Sequence, residues 1–213
     1  MNEKTLLIQS GKKLLHEGFT VETWGNISLR GDDGLVYITP SGMDYDSCTE
    51  ADVVVMDLAG RVVEGSRVPS IENGLHRAVY AARPEVKAIV HTHPIYSTVF
   101  SAMGESIPLL IDEAAQALGD RVYTAPYALP GTEELARACV EALGRKANAC
   151  LLQSHGAVCV GRNMKTAFRT ARVLEMTAEI YYRIRAVGGR YIPISPENIA
   201  AMQDFAANRY GQR

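Results

Sequence analysis

The sequence predicts an α/β domain whose sheet carries helices on both faces, with local connections that favour antiparallel pairing. Three observations predict it. Short apolar runs separated by turn clusters follow one another closely early in the chain, which implies antiparallel neighbours. Segments of helical periodicity alternate with further short apolar runs over the rest. Finally, 213 residues of which 47% are apolar suffice to bury one sizeable core, so residues 1–213 read as one domain with a C-terminal tail from about 196.

The elements follow in order. Leu6, Leu7, Leu14 and Leu15 recur at helical spacing and stop at Gly18, so the chain opens with a helix. Strands are predicted at 27–30, 35–38 and 53–57, divided by Gly31-Asp32-Asp33-Gly34 and Thr39-Pro40-Ser41-Gly42, with a further turn at Ala59-Gly60. A helix beginning near Ser70, its N-cap, carries Leu75, Ala78, Val79 and Ala82 on one face and ends at Pro84. The run 86–90 has strand composition and is stopped by Pro94. After Leu129-Pro130-Gly131-Thr132 a helix turns Leu135, Cys139 and Ala142 inward, and strands follow at 149–153 and 157–160. A long helix over about 164–187 ends at Gly188-Gly189, and Ser195-Pro196-Glu197 has the N-cap and Pro-N1 pattern of a last one.

Composition excludes several classes. A net charge of −2 without Lys/Arg runs argues against nucleic acid or an anionic membrane as partner. Neither an 18-residue apolar stretch nor a signal peptide is found, so a cytoplasmic location is expected. Cys48, Cys139, Cys150 and Cys159 lack C-x-x-C spacing and read as small buried apolar residues, with no disulfide expected.

The chemistry concentrates at Val90-His91-Thr92-His93-Pro94. Two histidines at i and i+2 near a strand end project to one side, where they can chelate a metal. His155, after Leu151-Leu152-Gln153-Ser154 and before Gly156, is a third. Three neutral imidazoles leave a divalent ion its full charge and an open position, the arrangement of a catalytic site. Isolated histidines are commonly just polar core or surface residues, but the third histidine and the carboxylate of Glu72 favour the metal.

Two glycine turns, Thr23-Trp24-Gly25-Asn26-Ile27-Ser28 and Thr39-Pro40-Ser41-Gly42, offer backbone N–H groups beside amide or hydroxyl side chains, as a phosphate cradle does. Plain turn formation is the simpler explanation of each, since such tetrapeptides are common in turns. Ser70 as a helix N-cap stands where orphan N–H groups favour an anion, and Glu72 in a first turn also complements the helix dipole without any catalytic role.

Taken in order, Gly25-Asn26-Ile27-Ser28, Thr39-Pro40-Ser41-Gly42, Pro69-Ser70-Ile71-Glu72, His91-Thr92-His93 and His155-Gly156 resemble the class II aldolase/adducin family, most closely its L-fuculose-phosphate aldolases. The resemblance runs through Ala125-Pro126-Tyr127 and Thr132 to a tail containing Tyr210. It implies a three-layer α/β/α fold with a mixed, mostly antiparallel central sheet, and a cyclic homotetramer with active sites between subunits. It places one divalent metal on His91, His93 and His155, zinc first with manganese or cobalt as alternatives. Glu72 becomes the catalytic carboxylate and a further metal contact. Asn26, Ser41, Gly42 and Ser70 form the phosphate pocket, supported by Gly25 and Thr39. The implied reaction is retro-aldol cleavage of a ketose 1-phosphate, L-fuculose 1-phosphate or a 5-deoxypentulose 1-phosphate, to dihydroxyacetone phosphate and an aldehyde, with no Schiff-base lysine.

Two positions depart from the resembled enzymes. Ile71 stands where they carry a second serine, and Asp112 stands, counting from Pro108, where they carry a proton-donating tyrosine contributed by a neighbouring subunit. Asp112, Glu113 and Tyr210 are therefore candidates for a second proton donor, while Asp112 and Glu113 equally suit the start of a helix running into Ala114 and Ala115. L-ribulose-5-phosphate 4-epimerases, sugar-acid phosphate decarboxylases and methylthioribulose-1-phosphate dehydratases share the histidine-rich site. The epimerases, though, carry Asp where Glu72 stands. Adducin-type interaction modules lack the metal ligands and carry long tails, whereas all three histidines are present here and the chain ends soon after its last helix.

Overall fold

The computed structural model describes residues 2–209. Its elements are α1 (Glu3–His16), β1 (Asn26–Arg30), β2 (Val36–Ile38), β3 (Val54–Met56), β4 (Val62–Glu64), α2 (Asn73–Ala82), β5 (Ala88–Thr92), α3 (Ile95–Met103), α4 (Asp112–Leu118), β6 (Thr124–Ala125), α5 (Glu133–Leu143), β7 (Ala149–Leu152), β8 (Gly156–Gly161), α6 (Met164–Ala186) and α7 (Pro196–Asn208). The strands form one eight-stranded sheet in the order β4-β3-β2-β1-β5-β8-β7-β6. Every pairing is antiparallel except β6 with β7, so the sheet is mixed and mostly antiparallel, as the family resemblance implies.

Strand alternation sorts side chains onto two faces. Ile27, Leu29, Ala88 and Val90 pack with Leu7 and Leu14 of α1, Phe100 of α3, Leu118 of α4 and Phe168 and Leu174 of α6. On the opposite face Val36, Ile38, Ile89, Val158 and Val160 pack with Leu75, Val79 and Tyr80 of α2 and Leu135 and Cys139 of α5. The result is three layers, α/β/α. Ser195 and Asn163 cap α7 and α6, each accepting from a backbone N–H one turn on. The region from 196 is the helix α7, and Gln203 on it donates to the Gly119 carbonyl at 2.7 Å. All four cysteines are buried free thiols.

The helix expected from Ser70 begins later. Asn73 N–H donates to the Ser70 carbonyl and Glu72 N–H to Ser70 Oγ, so residues 70–72 form a tight turn, and Glu72, with φ −92° and ψ 13°, takes the N-cap position of α2. Ser70 is therefore not the cap. The serine hydroxyl closes its own local turn instead of capping the helix, which is the competition that keeps serine out of helix interiors.

Candidate active site

Parity and register bring the site together. Asn26 opens β1 directly opposite His91 on β5, and both belong to the sheet face covered by α2. His93 lies just past β5, its N–H donating to the Phe19 carbonyl at 2.7 Å. His155 sits in the three-residue connection between β7 and β8, where Ser154 has φ +56°. That left-handed residue is uncommon for a side chain with a Cβ. Ser101 on α3 holds the connection down, its carbonyl accepting from Ser154 N–H and its Oγ from His155 N–H.

The three imidazoles converge. His91 Nε2 lies 2.9 Å from His93 Nε2 and 3.2 Å from His155 Nε2, close to the about 3.3 Å between nitrogens that share a tetrahedral metal at ordinary bond lengths. His91 Nδ1 donates to the Ala157 carbonyl at 3.0 Å, which turns the Nε2 lone pair toward the cluster. Burial first, then the neighbouring imidazoles, lower the pKa of His93 to about 3 and of His155 to about 4 despite the opposing pull of Glu72. Both are thus neutral at neutral pH, the form that binds a metal.

Glu72 is 4% exposed and stands beside this cluster, Oε2 3.2 Å from His91 Nε2 and Oε1 3.7 Å from His155 Nε2. Burial pushes its carboxyl up, but His91, His155 and the Asn26 amide together outweigh burial and hold it well below the usual carboxylate range. Glu72 Oε1 and His155 Nδ1 are buried without a hydrogen-bond partner. Orphaned polar atoms beside three convergent nitrogens fit a bound cation and a substrate oxygen.

A cleft of about 520 Å³ opens over the cluster, lined by Gly25, Asn26, Ser41, Gly42, Ser70, Ile71, Glu72, His93 and His155 together with Thr23, Trp24, Pro40, Pro130 and Ser154. The three turns are zipped to one another: Thr39 N–H donates to the Ile27 carbonyl, Ser41 N–H to the Val68 carbonyl and Ser70 N–H to the Thr39 carbonyl. Neither lysine nor arginine lines the cleft, so neutral donors would hold an anion there.

Not every predicted residue arrives. Thr39 lies beneath the wall, 2% exposed, with its Oγ bonded to the Ile27 N–H. Asn26 does line the cleft, and its amide also bonds to Glu72 and to His76. Asp112 and Glu113 form the exposed first turn of α4 and do not line the cleft. Tyr210 lies outside the described residues. Missing from the sequence reading were Trp24 and Ser154 on the cleft wall and, beneath it, His76; the spacing of Glu72 and His76 at i and i+4 was the available signal.

The sequence signature of the Class II Aldolase and Adducin N-terminal domain matches residues 5–182. A 5-deoxy-D-ribulose 1-phosphate aldolase from Bacillus thuringiensis serovar kurstaki is 38% identical over 187 residues, 87% of each chain. A 5-methylthioribulose-1-phosphate/5-deoxyribulose-1-phosphate aldolase from Rhodospirillum rubrum is 40% identical over 178 residues, 83% of this chain and 79% of that protein. The solved structure of an L-fuculose 1-phosphate aldolase superposes with a TM-score of 0.90 at 36% identity, covering 95% of this chain and 94% of the other. The chain belongs to the class II aldolase/adducin family.

Proposed function

We propose that this member of the class II aldolase/adducin family is a divalent-metal-dependent aldehyde-lyase that cleaves a ketose 1-phosphate. Its substrate is L-fuculose 1-phosphate or a 5-deoxypentulose 1-phosphate, and its products are dihydroxyacetone phosphate and an aldehyde. The observation that carries this reading is the convergence of His91, His93 and His155 Nε2 beside a buried carboxylate, at the floor of a cleft walled by the turns that carry Asn26, Ser41 and Ser70. The names of its relatives support the substrate class.

His91, His93 and His155 would hold the ion, zinc before manganese or cobalt, and its Lewis acidity would stabilise the charge left by C–C cleavage. Glu72, ionised and in contact with the ligands, moves a proton between substrate and solvent, a role worth about 10²–10⁴-fold in rate. Asn26, Ser41, Gly42 and Ser70, with Gly25 beside them and Thr39 in support beneath, would hold the phosphate by neutral donation. Ile71, exposed on the same wall, favours an apolar substituent over a further polar one. Asp112, Glu113 or Tyr210 supplies a second proton from a neighbouring subunit of a homotetramer, in the cytoplasm. Among the described residues no helix is long and apolar enough to cross a membrane.

The test is turnover of the zinc-loaded protein on a panel of ketose 1- and 5-phosphates and the free sugars, with products identified by mass. Expected are dihydroxyacetone phosphate from 1-phosphates alone, loss of metal in the His91→Ala, His93→Ala double variant, and loss of most turnover with metal retained in Glu72→Gln. Equal cleavage of unphosphorylated ketoses, or full metal content in the double variant, would overturn the reading.

A further inference from the structure

Behind Glu72 runs an unbroken line of buried polar side chains that the reaction described above does not use. Glu72 Oε2 accepts from Asn26 Nδ2 at 2.8 Å; Asn26 Oδ1 lies 2.6 Å from His76 Nε2; His76 Nδ1 lies 2.6 Å from Ser28 Oγ; and Ser28 Oγ lies 2.7 Å from Tyr80 OH. His76, Ser28 and Tyr80 are each 0% exposed, and Asn26 is 6% exposed. The two elements that carry the line, β1 and α2, meet on the sheet face opposite α1.

The direction of every hydrogen bond in this line is fixed by chemistry. A carboxylate only accepts, so Asn26 must turn its Nδ2 toward Glu72 and its Oδ1 toward His76. An amide oxygen only accepts, so His76 carries its proton on Nε2. Nδ1 then holds a lone pair and accepts from the Ser28 hydroxyl, whose oxygen in turn accepts from Tyr80. Burial as the main cause lowers the His76 pKa to about 3, so the ring is neutral and has one proton to place. The line occupies Glu72 Oε2, which also faces His91, and leaves Oε1 as the atom without a partner.

We propose that His76 is a positioning residue: by donating from Nε2 to Asn26 it locks the amide with Nδ2 toward Glu72, and so holds Glu72 in the one rotamer that keeps Oε1 free for proton transfer. Ser28 and Tyr80 enforce the His76 tautomer from behind. This rests on Glu72 being the acid/base group of the proposed reaction. Without the His76 donor the amide can rotate, and a turned amide presents Oδ1 to a carboxylate, a repulsive contact in a buried setting.

Two measurements test it on the full-length, zinc-loaded protein. First, ¹⁵N spectra of the histidine-labelled parent report the ring directly: His76 is expected protonated at Nε2 and bare at Nδ1, an outcome that does not depend on what the enzyme cleaves. The opposite tautomer overturns the proposal whatever the substrate. Second, His76→Leu is expected to lower kcat by about 10- to 100-fold, as loss of an outer partner does, with KM and zinc content unchanged, while His76→Gln, which keeps a donor near the Nε2 position, recovers most of it. In a Glu72→Gln background the same His76→Leu change should cost nothing further, since its effect passes through the carboxylate. An equal fractional loss in both backgrounds, or parental kcat in His76→Leu, overturns the proposal. Should His76→Leu fail to fold, Ser28→Ala is read by the same tautomer spectrum and the same kcat and KM split. An aldolase reading that fails leaves Glu72→Gln at parental turnover, a result distinct from either.

Discussion

At the residue scale, two kinds of histidine differ in how openly the sequence declares them. His91 and His93 announce themselves by i, i+2 spacing at a strand end, and the strand's fixed alternation makes the spacing a geometric statement. His76 is less open: Leu75 and Arg77 flank it on α2, its spacing from Glu72 is the one local sign, and it gains its partners because strand alternation turns Asn26 and Ser28 of β1 toward the face that α2 covers. It also places an acid limit on stability. Burial is the larger influence on its pKa and lowers it from 6.5 to about 3 against the pull of Glu72. The unfolded chain takes up this proton as pH falls through about 6.5, whereas the folded chain does not until near about 3. The unfolded state therefore binds more protons across that window, and its contribution, fully present above about pH 6.5, is lost by about 1.4 kcal/mol per pH unit on the way down. Urea unfolding of chelated protein between about pH 7.5 and about pH 5 should show a steeper loss of stability in the parent than in His76→Gln. Parallel slopes would remove His76 as the source. Asn26 teaches a related lesson: its motif suggested a phosphate ligand, and its amide also joins Glu72 to His76, a second task that the motif did not show.

At the element scale, the helices with strong local caps were legible and those stabilised from afar were not. The long run of α6 and the Ser195-Pro196 start of α7 were read within a residue, because capping chemistry is written in consecutive positions. Ile95–Met103, rich in β-branched and aromatic residues, has no such mark and went unassigned. Its N-terminus is satisfied by Glu175 on α6, which accepts from Tyr96 N–H at 2.8 Å, Ser97 N–H at 2.9 Å and Ser97 Oγ at 2.7 Å. Strand β4 was missed for the opposite reason: all three of its residues are exposed at the sheet edge, so no alternation betrays it. Because Glu175 anchors the helix that follows His93-Pro94, Glu175→Ala should destabilise the fold by about 1.5–3 kcal/mol, the range for hydrogen bonds to a charged group. It should also speed amide exchange at Tyr96 and Ser97 and weaken zinc binding through His93. Unchanged protection of those two amides would mean that α3 holds itself.

At the scale of the whole molecule, the sheet gathers the metal ligands but leaves the cleft open toward apolar surface. Trp24 is 59% exposed, Ile71 60%, Leu129 61% and Val68 71%, a concentration of large apolar side chains around the mouth that a lone chain would leave in water. A cyclic homotetramer would cover them, and it would explain why Asp112 and Glu113 stand clear of the cleft of their own chain. In such a ring each site joins Glu72 of one chain to a donor from the next, a heterologous contact that closes on itself. Light scattering is expected to give four chains per particle, and Trp24→Glu with Leu129→Glu to shift it toward smaller species with lost turnover. The decisive experiment mixes two inactive proteins, Glu72→Gln and the triple variant Asp112→Asn, Glu113→Gln, Tyr210→Phe, after mild dissociation and reassembly. A hybrid ring contains some sites with an intact Glu72 facing an intact donor, so random mixing should restore roughly a quarter of parental turnover. If donor and carboxylate came from the same chain, every site in every hybrid would lack one or the other, and mixing would restore nothing.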